Sequence, residues 1–317
     1  MSARMGDQDP EYVTACWQEV LKSWSLSEHI VPITGAGVGV NFNLPDWNRL
    51  TLALCDVLQK LGDTQVASVR AEADLLLRMF RATHRLRRLM SDDPKKVTET
   101  ISQTLYTDVQ VTENGVLWLE CVYKLAKGSR LYMTFNFDDL LEKYADAVYS
   151  DTVVPIALQR VPRKKEGQID AYHLHGILPL SGAPAQAFAP LVFDLISYVE
   201  AYTHFVDQMS VPLLNVMTNY KCVFLGLSMV DPNLLRLLKM AYELRNDGTC
   251  WGIAFGKILP EIQHVLKQWG VATANISLET NDDFCKIPQG ILSALQTVDP
   301  VDVQDRLKKF QRSFSAV

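Results

Sequence analysis

The sequence predicts an α/β fold, a doubly wound and mainly parallel sheet with a helical insertion. Three observations predict it. Short apolar, β-branched runs recur along the 317 residues, and each ends in a small or polar residue. Helical patterns lie between these runs, and residues able to do chemistry gather at the ends of the runs. Near-continuous apolar strands alternating with helices indicate a parallel sheet covered on both faces. In such a Rossmann-like arrangement, ligands sit beyond the carboxyl ends of the strands.

The elements follow in order. HIVPITG (29–35) is the first strand run, followed by a helix over 46–61. Residues 63–112 break the alternation: QVASVRAEADLLLRMFRATHRLRRLM has helical periodicity and no strand candidate, which marks a small helical insertion beside the sheet. A helix over 113–127 leads into RLYMTFN (130–136) and a further helix over 138–148. AYHLHG (171–176) comes next, then a helical stretch over about 194–219 with Phe193, Tyr198, Tyr202 and Phe205. CVFLGLS (222–228), a helix over 231–246, WGIAFG (251–256), a helix over 258–269 and VATANISL (271–278) complete the sheet. VDVQDRLKKFQRSF (301–314) forms a C-terminal helix. Residues 1–317 are expected to form one domain, with its Rossmann-like core at about 25–62 and 113–298 and the insertion at about 63–112. Disorder is expected only in MSARMGDQDP at the start and RSFSAV at the end.

Composition narrows the function classes. Hydrophobic residues make up 48% of the chain, enough for a large core in a soluble protein. The net charge of −5 gives no global basic field to draw nucleic acid or anionic lipid. No apolar run approaches the roughly 18 residues that span a bilayer, and the N-terminus lacks a signal-peptide pattern. Cys16, Cys55, Cys121, Cys222, Cys250 and Cys285 are far apart, with no C-x-x-C pair. Buried free thiols in a reducing cytoplasm are therefore expected, and no metal site. Arg78, Arg81, Arg85, Arg87 and Arg88 read as a solvated helix face balanced by Glu72, Asp74, Asp92 and Asp93.

Four strand ends carry candidate chemistry. Gly35-Ala36-Gly37 would let a diphosphate approach the backbone, with exposed N–H groups to bind it. The dinucleotide pattern G-x-G-x-x-G fails because Val40 stands at its last position, and no phosphate-loop G-x-x-x-x-G-K-[ST] exists. Taken alone, the turn is equally a tight backbone turn. Asp46, in Leu44-Pro45-Asp46-Trp47, places a carboxylate where a loop returns over the site, and also suits the N-cap of the next helix. Asn136 and Asp138 share one face of an extended segment, and their amide and carboxylate suit a ribose hydroxyl, a water or a carboxamide. Asp138 or Asp139 equally suits a helix cap. His173 and His175 alternate onto one strand face, and a histidine before a glycine at a strand end is well placed as a general base. Gly226 and Ser228 end another buried strand, with Asp231-Pro232 starting the next helix.

The order and wording of these motifs resemble the sirtuin family, whose members share GAG, a Pro-Asp-aromatic loop, Asn-x-Asp, His-Gly and Gly-x-Ser in that sequence. The closer resemblance is to the sirtuin-like (Sir2-like) branch of bacterial anti-phage defence systems. ITGAGV, LPDWNRLT, TFNFDDLLE, HLHG, LVFDLISYVEAY and FLGLSMVDPNL are all similar to that branch, over about residues 28–280. The resemblance implies an NAD hydrolase that depletes NAD on infection. It gives Gly35, Ala36 and Gly37 to the diphosphate, Asp46 to the loop over the nicotinamide end, and Asn136 and Asp138 to the ribose and carboxamide. His175 matches the catalytic histidine, and Gly226 and Ser228 the adenosine side.

There are departures from the family pattern. Gly39 stands where relatives often have Ser, Trp47-Asn48 replaces Phe-Arg, and Phe135 replaces a Gln. The cysteine-free stretch 63–112 occupies the place of the deacylases' four-cysteine zinc module. These departures weigh against protein-substrate chemistry, yet an NAD-dependent deacylase or ADP-ribosyltransferase stays open, as does a silent NAD or ADP-ribose sensor. A free NADase would kill its host. The chain length leaves little room for a sensor domain, so a homo-oligomer or a separate sensor or activator protein is expected to gate it. The Arg-rich insertion and the helix 301–314 are the candidate contact surfaces.

Overall fold

A computed structural model describes residues 15–27, 29–156, 167–180, 191–193, 211–245, 248–275, 281–295 and 300–314. Helix α1 (Trp17–Ser27) precedes β1 (Ile30–Thr34), which runs into a four-residue helix α2 (Ala36–Gly39) and then α3 (Trp47–Lys60). Residues 63–112 hold α4 (Val66–Arg70), α5 (Leu75–Leu89) and α6 (Pro94–Tyr106). Then come α7 (Glu113–Ser129), β2 (Leu131–Thr134), α8 (Leu140–Tyr149), β3 (Val153–Ile156) and β4 (Ile169–His173). The chain continues through α9 (Val211–Asn219), β5 (Lys221–Leu225), α10 (Pro232–Arg245), β6 (Gly252–Gly256) and α11 (Pro260–Gln268). It ends with β7 (Val271–Asn275), α12 (Asn281–Ala294) and α13 (Pro300–Phe314).

The seven strands form one sheet in the order β3-β4-β2-β1-β5-β6-β7, and every neighbouring pair is parallel. The doubly wound α/β reading holds. β1 is the hinge of this order: the chain first builds outward through β2, then returns to its other side with β5. That reversal is the switch point where open α/β sheets bind ligands.

Side chains alternate across the sheet as a strand's period of two requires. Val31, Ile33, Cys222 and Phe224 face one core with Leu213, Met217, Leu237 and Leu238 of α9 and α10. Ile30, Val223, Leu225, Ile253 and Phe255 face the other, with Val116, Tyr123 and Ala126 of α7. β1, β5 and β6 are buried along their whole length, which is why they read as unbroken apolar runs.

One strand is absent from the sequence reading. β3 is four residues at the sheet edge, VVPI, and Pro155 within it removes a ladder donor. AYHLHG is corrected as well: its strand spans Ile169–His173, so His175 lies beyond it in a turn closed by Gly176 at φ 90° and a bond from Gly176 N to His173 O. Of the helical stretch 194–219, residues 194–210 with Tyr198, Tyr202 and Phe205 lie outside the described residues. So do the two expected disordered ends, apart from Arg312, Ser313 and Phe314 at the end of α13.

The C-terminal helix is fastened by a buried charge. Glu120 on α7 is fully buried, accepts from the hydroxyls of Tyr144 and Tyr149 at 2.7 Å, and pairs with Arg306 of α13 at 2.5 Å. Among the described residues no helix is long and apolar enough to cross a membrane.

Candidate active site

The site is built around β1. Gly35 N donates to Leu225 O at 2.9 Å and Gly37 N to Gly226 O at 3.0 Å, tying the turn after β1 to the end of β5. The two backbones meet face to face. A Cβ on Gly37 would stand 2.7 Å from Gly226 Cα, and one on Gly226 would stand 2.7 Å from Val38 N. Gly226 also holds φ 67°, a conformation open to glycine. The sequence reading expected these amides to be exposed. Instead those of Gly35 and Gly37 are spent on the end of β5, and that of Val38 on Gly35 O. The glycines let two segments of the chain approach closely, and both line the same cavity.

Gly35, Ala36, Gly37, Asp46, His175, Gly226 and Ser228 all line one cavity of about 630 Å³. Asp46 is also the N-cap of α3, accepting from Arg49 N at 2.8 Å, so its cap and cavity positions coexist. Ser228 is exposed at the rim, and Asp231 behind it caps α10 by accepting from Asn233 N and Leu234 N.

Asn136 and Asp138 do not line that cavity. They line an inner chamber of about 30 Å³, which shares Ala36, Trp47 and Phe135 with the larger one as a common wall. Asn136 is held by its side chain, whose Nδ2 donates to Gly35 O at 3.1 Å, and by its backbone N, which donates to Thr134 Oγ1 at 3.0 Å. Asp138 accepts from Leu140 N at 3.3 Å at the start of α8. Burial pushes its carboxyl up to about 7, with Glu142 adding to the rise and His173 opposing it. Its Oδ2 would lie 3.6 Å from a Cβ on Gly39, the position where the family often has Ser.

His175 is 6% exposed, and its ring sits among aromatics, 5.2 Å from Phe135 and 5.8 Å from Trp47 between ring centres. Burial pulls it down to about 4, against the Asp231 carboxylate and a hydrogen bond to the Phe135 backbone. At neutral pH the ring is therefore uncharged and able to accept a proton. His173 lines neither cavity; its Nδ1 lies 3.2 Å from the Asn136 carbonyl oxygen.

A profile of the SIR2-like domain matches residues 130–273. Over that stretch the chain is similar to the SIR2-like domain. The match spans β2 to β7 and includes Asn136, Asp138, His175, Gly226 and Ser228, while β1, the glycine turn and Asp46 lie before it. No curated protein matches the chain at a significant level. A SIR2-like domain is consistent with an enzyme acting on NAD. Among the described residues no three His, Cys, Asp or Glu side chains gather as metal ligands.

The site contains residues that sequence reasoning missed. Trp47 and Phe135 divide the two cavities, and Asp74, Leu75, Leu76 and Met79 of the α5 end form one wall of the larger. The insertion is thus part of the cavity and not only a neighbour of the sheet. A signal existed at its start: Leu75-Leu76-Leu77 follows the Asp74 cap, and Leu76 and Leu77 stay 39% and 47% exposed.

Proposed function

We propose that this protein cleaves the nicotinamide–ribose bond of NAD, releasing nicotinamide and ADP-ribose. The observation that carries the reading is an uncharged, buried histidine, His175, opening onto the same cavity as the glycine turn. The fit to a dinucleotide is supported on two counts. The cavity falls within the roughly 300–1,000 Å³ of small-molecule sites. Gly35, Ala36 and Gly37 after β1 and Gly226 and Ser228 after β5 also line that one cavity together.

The leaving group departs as a neutral pyridine, so no strong acid is required, and positive charge gathers on the ribose. The protein's tasks are positioning, shielding from water and proton acceptance. His175 takes a proton from a ribose hydroxyl or a water. Asn136, oriented by its bond to Gly35 O, presents its amide oxygen to that water or ribose. Asp138 and Asp46 orient nicotinamide from the inner chamber and the mouth. Trp47, Phe135 and Phe137 around His175 keep the surroundings apolar, which strengthens the polar contacts that remain.

The cellular role that fits is an NAD-depleting effector of a bacterial anti-phage system, held inactive until a partner protein or self-assembly switches it on. The deciding experiment incubates NAD with the purified chain, alone and with the products of neighbouring genes, and quantifies nicotinamide and ADP-ribose. His175→Ala and Asn136→Ala are expected to fold and release none. Full turnover in either variant overturns the assignment. An acetyl-peptide substrate run beside NAD separates hydrolysis from deacylation.

A further inference from the structure

His173 is the last residue of β4 and 3% exposed, and its ring bridges two elements. Nδ1 lies 3.2 Å from the Asn136 carbonyl oxygen, and Nε2 lies 2.7 Å from Glu142 Oε1 on α8. A carbonyl only accepts, so Nδ1 carries a hydrogen. Nε2 then faces a carboxylate oxygen, a second acceptor, at hydrogen-bond distance. Two acceptors do not hold that spacing, so a second proton stands between them and the ring is an imidazolium against a carboxylate. The Glu142 side chain is 12% exposed, and its Oε2 is buried with no hydrogen-bond partner among the described residues. The pair's proton therefore resides at the His173 contact.

We propose that His173 and Glu142 form a proton-holding positioning pair that fixes the Asn136–Asp138 step for cleavage, an inference that rests on the NAD-cleaving reading. The groups facing the pair are Asp138 and Asp139 from the turn before α8, Tyr132 from β2 and Tyr106 from α6, and Lys143 of α8 pairs with Asp139. Burial works against the charged ring. Glu142, the Asn136 carbonyl and Asp138 overcome it and hold His173 above the ordinary histidine value. Loss of the proton sets Nε2 and Oε1 against each other and parts them. The Asn136 carbonyl then loses its donor, and the segment that carries both Asn136 and Asp138 shifts. A displacement near 1 Å at a reacting centre costs about 10²-fold in rate.

Glu142→Gln separates this role from mere packing. The amide has the same shape and donates an N–H to a neutral His173 Nε2, so the spacing survives without a titrating proton. The first measurement is a ¹⁵N spectrum of histidine-labelled protein without NAD, with His173→Gln to assign the signal. Both His173 nitrogens are expected protonated at pH 7 in the wild type, and Nδ1 alone in Glu142→Gln. A neutral His173 at pH 7 in the wild type overturns the proposal. The second is kcat for nicotinamide release against pH. The wild type is expected to lose about 10²-fold on the alkaline side, Glu142→Gln to lack that fall, and His173→Ala to be slow at every pH. An alkaline fall unchanged in Glu142→Gln also overturns the pair. If the wild type releases no nicotinamide under any condition, the NAD reading fails, and the nitrogen titration still decides the pair.

Discussion

Replacing Gly226 with alanine adds one methyl group where two backbones already touch. Its Cβ would sit 2.7 Å from Val38 N and 2.8 Å from both Gly37 Cα and Gly37 C, all of them main-chain atoms that no rotamer change can move. Forcing a non-glycine residue to φ 67° costs about 1–2 kcal/mol, and overpacking adds about 1–3 kcal/mol. Gly226→Ala should therefore destabilise by about 2–5 kcal/mol, a large share of the roughly 5–15 kcal/mol that holds a domain together. Gly37→Ala meets the same contact from the other side, with its Cβ 2.7 Å from Gly226 Cα, but without the left-handed backbone. It should cost only the packing part, about 1–3 kcal/mol. The two losses compete for one gap. Once the chains part for the first methyl the second costs less, so the double variant should fall short of the sum by about 0.5–3 kcal/mol. Urea unfolding of the four proteins with a common m-value measures all three quantities. Gly226→Ala within about 0.5 kcal/mol of wild type, or less costly than Gly37→Ala, refutes the account of why glycine stands at both positions.

Three further outcomes follow from buried charges. His175 lies near 4 when folded, below its ordinary value, so between about pH 4 and 6.5 the unfolded chain binds a proton that the native state refuses. Its contribution is present above that window and lost as pH falls through it, by up to about 3 kcal/mol. His175→Gln should flatten that part of a stability–pH curve, and an unchanged slope counts against the buried, neutral ring. Asp138 behaves oppositely: held near 7, it keeps a proton that the unfolded chain has lost, so stability falls as pH rises from about 4 to 7. Asp138→Asn should gain on the wild type over that rise, by an amount on the order of 4 kcal/mol at pH 8; a pH-independent difference refutes it. Arg306→Met takes the nearer of two cations from the buried Glu120, leaving Lys124 at 3.7 Å, and should cost up to about 3–5 kcal/mol, with Glu120→Gln added to it restoring part. Thermal unfolding of the single and double variants checks this.

The frame of the sheet was legible because β1, β5 and β6 are buried on both sides, which leaves unbroken apolar runs in the sequence. β3 was not, since a four-residue edge strand with a proline shows neither length nor alternation. The strand-end residues were visible one by one, but their division between two cavities was not. Asn136 lines the smaller and His175 the larger, with Trp47 and Phe135 lining both, and a linear pattern carries no information about such a division. The same limit explains His173. Its partners, Glu142 and the Asn136 carbonyl, come from a helix and a loop that periodicity cannot bring together. The glycine turn shows a third limit: the sequence says where side chains are missing, and only the backbone bonds say whether the freed space faces a ligand or another strand.

The inner chamber beside Asp138 has a kinetic consequence. At about 30 Å³ it has room for one or two water molecules and not for a pyridine ring. On the proposed reading, a nicotinamide ring that reaches Asp138 must push Trp47, which packs against Phe137 at 5.3 Å and Phe193 at 5.8 Å. The state ready to accept the ring is then a minority conformation of Trp47, and apparent affinity is scaled down by its population. Loosening that aromatic stack, as Phe193→Leu would, should speed both arrival and escape of nicotinamide while every polar contact in the chamber stays as it was. How long the product lingers would be set by the packing of three aromatic rings.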